Sequence, residues 1–359
     1  MQPYLSKFNV INLLFLLIPI SFIAGNLIIN LNILLIGITT CFFYGKDFIK
    51  HKFNLLDKII FLFFIYVLIS AIINGLENYY DKNSSFDFKI IIKSLSYLRY
   101  LLLYLALRYL IDKNLINIKF FFISSSICAL FVSCDLIFQL NFGFDVFGYK
   151  SYQIIGDKQT ISKLSGPFGD ELIAGSYLQK FAIFIFFTIP FFLKLKIKKS
   201  IYLIYSAVFS LIFFSIIISG NRMPFLLFLL MLVSIFILEK KTRKYSVFFL
   251  LGSTIIFIIA YNYTLTVKGW YNYFVEKILE FYRYLIATDQ NIEIARAANT
   301  YIQEFDSGFQ VWKINKFFGG SIDSFYINCS RIIERSCASH PHNYYLEILA
   351  ELGFLGFLL

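Results

Sequence analysis

An all-α polytopic membrane protein is the fold class that three features of the sequence predict. Long apolar runs recur along the chain, charge is scarce, and the basic residues gather in short clusters between those runs. Of 359 residues, 58% are hydrophobic, 20% aromatic and only 15% charged, whereas a soluble domain carries about a quarter charged residues. The net charge of +11 could suggest nucleic acid, but that partner is excluded by where the cations lie. They sit between apolar spans, at the depth of anionic headgroups, so membrane lipids are the expected surroundings.

A helix needs about 20 apolar residues to cross the hydrocarbon core. That measure gives about ten spans, near 10–28, 30–44, 57–74, 89–111, 119–139, 173–193, 200–218, 223–238, 245–263 and 343–359. The first follows Lys7 and could pass for a signal peptide. Another apolar run comes almost at once, which favours a first membrane helix. Four basic clusters orient the set: Lys46, Lys50, Lys52 and Lys58; Lys113 and Lys119; Lys194, Lys196, Lys198 and Lys199; Lys240, Lys241, Arg243 and Lys244. A cytoplasmic N-terminus puts every cluster inside, as the positive-inside rule requires. The outward segments are then 75–88, 140–172, 219–222 and 264–342. One membrane domain over 1–359 is expected, with 264–342 as a long outer loop between the last two spans. A loop of that length is usually functional. Within it Trp270–Leu285 repeats apolar residues at helical spacing, as an interfacial helix or a helix packed on the bundle would.

The segment SHPHNYYLEILAELGFLGFLL, from Ser339, holds two of the three histidines, His340 and His342. Imidazole titrates near neutrality and can take a proton from a hydroxyl. Asn343 suits a helix start, and Glu347 and Glu351 follow at helical spacing. A cap or a headgroup anchor would use the same residues. The H-x-H spacing resembles part of a zinc site, but no third histidine lies nearby and His51 falls on the cytoplasmic side, so no metal is expected. In SGNR, Arg222 stands in a tight outer turn, where a guanidinium grips phosphate or snorkels to headgroups. In LSGPFGDELIAGSYLQKF, Gly166, Pro167 and Gly169 make a turn, Asp170 and Glu171 are expected to open the sixth span, and Gly175 and Ser176 permit close helix contact. Lys93, Arg99 and Lys180 fall inside spans, where a cation hints at function. Lys93 suits an ion pair and Arg99 a diphosphate contact or an ion pair. Cys41, Cys128 and Cys134 read as small core residues, and an oxidising compartment favours a bridge between Cys329 and Cys337.

These residues resemble the O-antigen ligase and O-antigen polymerase superfamily. His342–Asn343, nine residues, and then Gly353-Phe-Leu-Gly356 match its signature. The SGNR turn, SGPFGDELIAGSYL and the stretch WKINKFFGGSIDSF from Trp312 are similar to its other outer segments. The resemblance implies a GT-C-like helix bundle in a bacterial inner membrane, with a periplasmic active site and neither metal nor cofactor. It implies an undecaprenyl-diphosphate-linked glycan donor and, as acceptor, a lipid A–core hydroxyl (ligase) or another lipid-linked repeat (polymerase). His342 would be the general base and Arg222 would hold the donor diphosphate, both in one external pocket. His340, Asn343, Arg99, Asp170 and Glu171 would line the substrate site, and Gly353 and Gly356 would be structural, with Cys329 and Cys337 limiting the freedom of the segment that delivers His342. Where the family often has an arginine before the Gly-rich stretch, this chain reads DSGFQVW, leaving Arg296 and Arg283 as substitutes. The family usually continues for one or two more spans, so the chain is expected to stop short within its last helix. The competing class is a transporter for the same lipid-linked sugar. Intramembrane cations suit it, but transporters are often built from two related repeats and none is visible.

Overall fold

A computed structural model of the chain describes residues 7–80, 88–150, 152–155, 160–188, 199–238, 243–263, 265–286, 300–332 and 337–359. Helix dominates, as expected. In chain order the helices are α1 (Lys7–Leu16), α2 (Ile18–Ile23), α3 (Asn26–Ile49), α4 (Leu55–Tyr80), α5 (Phe88–Asp112), α6 (Ile118–Phe142), α7 (Ala174–Phe187), α8 (Lys199–Ile218), α9 (Arg222–Leu238), α10 (Arg243–Tyr263), α11 (Leu265–Leu285), α12 (Thr300–Ile314), α13 (Phe325–Ile332) and α14 (Tyr344–Leu358). Among the described residues, four stretches are long and apolar enough to cross a membrane: Asn26–Ile49, Leu55–Gly75, Phe88–Asp112 and Ile118–Phe142. Shorter apolar stretches occupy Ala207–Ile218, Met223–Leu238 and Leu251–Tyr263. The basic residues Lys194, Lys196, Lys198, Lys240 and Lys241 lie outside the described residues.

Two features depart from the sequence expectation. The run 10–28 is not one helix. It breaks at Leu17, ahead of Pro19 in the first turn of α2, and ends at Gly25 with φ +106°. Proline brings no N–H donor and glycine alone adopts that φ freely. The next helix, α3, is correspondingly longer than the 30–44 read from hydropathy. A short antiparallel hairpin is the other departure, β1 (Tyr152–Ile155) with β2 (Thr160–Lys163), paired Tyr152 to Lys163 and Ile155 to Thr160.

The chain divides into two compact units, Met1–Leu35 with Asn114–Glu276, and Ile36–Lys113 with Lys277–Leu359. In the first, α6, α7, α8 and α9 bury a core of Ala129, Val132, Leu136, Leu178, Phe209, Ile212 and Phe228. Lipid offers no hydrophobic drive between helices, so small residues and hydroxyls hold them together. Ser215 Oγ donates to Ser133 O (3.1 Å) and Ser126 Oγ lies 2.9 Å from Thr188 Oγ1. Tyr177 Oη donates to Pro19 O (3.0 Å), which ties α7 to α2. Cys128 is buried, but Cys134 is exposed and is not a core residue.

In the second unit α4 and α5 share a buried ion pair, Asp57 with Arg108. Tyr104 Oη and Asn54 N also donate to the Asp57 carboxylate, at 2.8 and 2.6 Å. His51 Nε2 lies 3.0 Å from Asp112 Oδ2 at the same end of the pair. The decisive feature is α14. It is broken at Gly353 (φ 67°, ψ −171°), and the backbone of 316–321 fills the break. Gly320 N donates to Ala350 O (3.1 Å) and Ser321 N to Glu351 O (2.7 Å). Phe354 N donates to Lys316 O (2.8 Å) and Leu355 N to Phe317 O (3.2 Å). Tyr66 Oη on α4 donates to Leu352 O (2.7 Å), and Asn74 Nδ2 to Gly319 O (3.3 Å). An unpaired backbone group in the bilayer costs several kcal/mol, so a broken helix persists only where such partners exist. The strands of backbone cross where Gly319 and Gly353 meet. A Cβ on either would strike the other segment's main chain, and both have positive φ.

Gly353→Ala is therefore expected to destabilise the protein by at least ~2 kcal/mol, through strain and overlap together. Thermal unfolding in detergent, followed by size exclusion, measures this. The control is Gly45→Ala on α3, where a Cβ meets nothing within 4 Å; it should be neutral or slightly stabilising, because alanine is the better helix former.

Candidate functional site

In the first unit the SGNR turn follows α8. Gly220 has φ +74° and Arg222 opens α9. Ser219 is buried and its Oγ donates to Ile216 O (2.7 Å), which stops α8 there. The turn is held against α7 because Gly175 has no side chain. A Cβ there would lie 2.5 Å from Ser219 Oγ and 2.8 Å from Asn221 Cβ. The Arg222 side chain lies outside the described residues. Beside the turn, α8, α9, α10 and α11 enclose an apolar cavity of about 320 Å³. Phe213, Ile217, Phe225, Phe257, Val267 and Phe274 line it, and Gly220 and Asn221 form part of its wall. The amphipathic Trp270–Leu285 segment thus belongs to α11, which turns Tyr271 and Phe274 onto this cavity.

Asp170 and Glu171 do not open the next helix. Gly169 (φ +62°) and the Ile173 N to Glu171 O bond (2.9 Å) keep the chain irregular until Ala174. The first turn of α7 has no acidic residue, and Glu171 Oε1 instead accepts from Asn26 Nδ2 (2.9 Å). Lys180 is exposed on α7, so its side chain is not packed inside the helix bundle.

In the second unit His342 precedes α14. Asn343 caps that helix, its Oδ1 accepting from Tyr345 N (2.9 Å) and Leu346 N (3.2 Å). Pro341 is buried against α12, where Gly308 leaves room; a Cβ there would sit 2.9 Å from Pro341 Cβ and 3.2 Å from Leu346 Cβ. Between these two fixed neighbours His342 takes φ +50°, a strained conformation for a residue with a Cβ and the kind that clusters at functional sites. Its N–H donates to His340 Nδ1 (3.2 Å). The two rings meet edge to face, 4.2 Å between centroids. Glu304 Oε2 on α12 lies 3.6 Å from His342 Nε2. Partial burial, and then the neighbouring His340, hold the imidazole below its ordinary pKa. At pH 7 His342 is therefore neutral, half-exposed and able to accept a proton.

Cys329 and Cys337 form a disulfide, Cα atoms 6.1 Å apart, three residues before His340. Cys329 is fully buried with Val311, Phe325 and Ala350. On α5 Lys93 pairs with Asp323. Arg99 turns to its own helix, donating to Ser96 O (2.9 Å) and Tyr100 Oη (3.1 Å) with its guanidinium over the Tyr100 ring. Arg283 is exposed on α11, and Arg296 lies outside the described residues. Gly356 lets α14 approach α4, since a Cβ there would sit 3.1 Å from the Tyr66 ring.

Residues 207–359 match the family model described as O-antigen ligase. That stretch is similar to the O-antigen ligase family. The matched stretch contains both the SGNR turn and the histidine motif, and with the four helices long and apolar enough to cross a membrane the match supports a multi-pass membrane protein with likeness to O-antigen ligases and polymerases. No curated protein and no solved structure is measurably similar to the chain. Glu304 is the neighbour of His342 that sequence reading misses. It stands 38 positions before the histidine (342 minus 304), on another helix, so no local spacing connects them.

Replacing Glu304 by Gln removes a carboxylate that favours imidazolium, so the His342 pKa should fall further. Histidine NMR of labelled protein in nanodiscs reads this directly. An unchanged titration would show that Glu304 does not act on the ring.

Proposed function

We propose that this protein moves a glycan from undecaprenyl diphosphate to a sugar hydroxyl of lipid A–core at the periplasmic face of the inner membrane. The supporting observation is that one O-antigen ligase domain contains both an arginine turn and a strained, neutral histidine. In this reading His342 takes the proton of the acceptor hydroxyl as its oxygen attacks the anomeric carbon of the donor. The bond from that carbon to the diphosphate breaks, and Arg222 pairs with the departing charge through its forked donors. Glu304 steadies the imidazolium that forms. His340 and Asn343 set the ring's position, and the acceptor passes Asp170 and Glu171. The step uses neither metal nor nucleotide. The apolar cavity beside Gly220 and Asn221 suits the first isoprene units of the donor, since it adjoins the residue expected to hold the diphosphate. A cytoplasmic N-terminus and a folded 264–342 segment outside complete the topology.

The alternative within the same domain type is a polymerase, whose acceptor is a second lipid-linked repeat. The two are separated by the glycan profile of a deletion strain. Core without any long polysaccharide marks a ligase; core bearing a single repeat marks a polymerase.

His342→Ala is expected to lower product formation from a lipid-linked donor by at least ~100-fold, the scale of a lost general base, with membrane insertion unchanged. The wild-type rate should rise with pH through an apparent pKa below the ordinary histidine value of about 6.5, because the neutral ring is the active form. Full activity of the alanine variant would defeat the assignment.

A further inference from the structure

Behind the hairpin, the first unit buries three oxygen atoms that have no hydrogen-bond partner: Asp135 Oδ2, Asp145 Oδ2 and Ser165 Oγ. Their residues are 2%, 0% and 2% exposed. They come from three different segments, α6, the turn after α6, and the residue ahead of the 3-10 turn Gly166–Phe168. A hydrogen-bond network holds these segments together. Asp135 Oδ1 accepts from Val146 N (2.8 Å), next to Asp145. Asp145 Oδ1 accepts from Phe147 N (3.1 Å) and Tyr149 N (2.6 Å). Gln139, itself buried, accepts from Gly166 N (2.9 Å) and donates to Tyr149 O (3.2 Å). A Cβ on Gly166 would sit 3.6 Å from Asp135 Oδ2, which places the Ser165–Gly166 backbone against that carboxylate.

Each aspartate therefore spends Oδ1 on backbone N–H groups and leaves Oδ2 bare, and the Val146 N–H that Asp135 binds follows Asp145 directly in the chain. Among the described residues neither Asp135 Oδ2 nor Asp145 Oδ2 has a hydrogen-bond partner. Buried unpaired carboxylates are among the most costly groups a protein can contain, and here two lie on adjoining segments. One divalent cation removes both penalties. It neutralises two negative charges, and the three bare atoms are all oxygens, the donors that hard cations take.

We infer that Asp135, Asp145 and Ser165 form a binding site for one hard divalent cation, calcium by chemistry, that pins the segment after α6 to the start of α7. Calcium accepts irregular oxygen cages completed by carbonyls and water, whereas magnesium demands a near-ideal octahedron. The site lies outside the O-antigen ligase match at 207–359 and holds neither His342 nor Arg222. The ion is structural and takes no part in glycan transfer. Among the described residues no group of three or more His, Cys, Asp or Glu forms a metal site; this one has two carboxylates and a hydroxyl.

The test uses full-length protein in nanodiscs of zwitterionic lipid, stripped with EDTA. Titration with CaCl2, and separately with MgCl2, is read by calorimetry and by thermal unfolding. One calcium per chain, a higher Tm on binding, affinity reduced more than tenfold in Asp145→Asn and several-fold in the milder Ser165→Ala support the site. Wild type that takes up neither ion overturns it, as does calcium uptake unchanged in both variants. A Tm that responds to pH and not to either cation, with Asp145→Asn at least as stable as wild type, also overturns it, because the carboxyls then share a proton. Should Asp145→Asn fail to insert, the wild-type titration and Ser165→Ala still decide.

Discussion

A single exchange of backbone hydrogen bonds organises the C-terminal part of this protein. α14 gives up its own helical bonding at Gly353, and the segment 316–321 supplies the missing partners. In a low-dielectric interior neither segment is tolerable alone. The helix would bare carbonyls at 350–352 and amides at 354–355, and the loop would bare its own amides. Together they are satisfied, at the cost of a crossing so close that only glycine fits at 319 and 353. Tyr66, Ser70 and Asn74 on α4 then accept the crossing as a unit, through bonds to Phe318 O, Gly319 O and Leu352 O. The motif glycines are therefore a backbone requirement, not a helix-packing convenience alone.

The histidine inherits its position from this arrangement. The first half of α14 is fixed at its C-terminal end by the crossing and at its N-terminal end by the Asn343 cap. Pro341 packs on Gly308 of α12, and the Cys329–Cys337 bridge shortens the tether from α13. With both ends held, His342 has little freedom, and its positive φ is the strain that remains. Glu304 arrives from α12, the same helix that carries Gly308. One helix thus sets both the backbone and the electrostatic surroundings of the ring.

Composition and hydropathy made the helices legible because lipid demands long apolar runs whatever the fold. Most boundaries from α4 onward follow that reading, whereas the first run fails because hydropathy does not register Pro19 or Gly25. The hairpin at 152–163 was not legible. Its backbone pairing depends on a partner strand and leaves no apolar run behind. Asp170 and Glu171 read as helix openers from local preference, yet Gly169 delays the helix to Ala174, so a backbone angle overrode a charge preference. His342, Asn343, Gly353 and Gly356 were legible as a motif, but the reason for the glycines was not, since it lies in a segment more than thirty positions away, at Gly319 (353 minus 319 is 34). Glu304 was invisible for the same reason.

Buried charge shows where each unit differs in what it has resolved. Asp57 is buried and fully answered, by Arg108, Tyr104 and the backbone of Asn54. That arrangement reads as structural, because breaking a buried pair is costly and forming one gains little. Asp135 and Asp145 are equally buried and each is only half answered. Folding does not tolerate such a deficit without compensation from outside the chain, either a proton or a cation. The proposed cation would answer both carboxylates and the Ser165 hydroxyl together, whereas a proton would answer the carboxylates alone. The segment after α6 packs Leu164 and Phe168 into the core but leaves Phe144, Val146 and Phe147 exposed. An ionic clasp at its root would fix the part that packing leaves unheld.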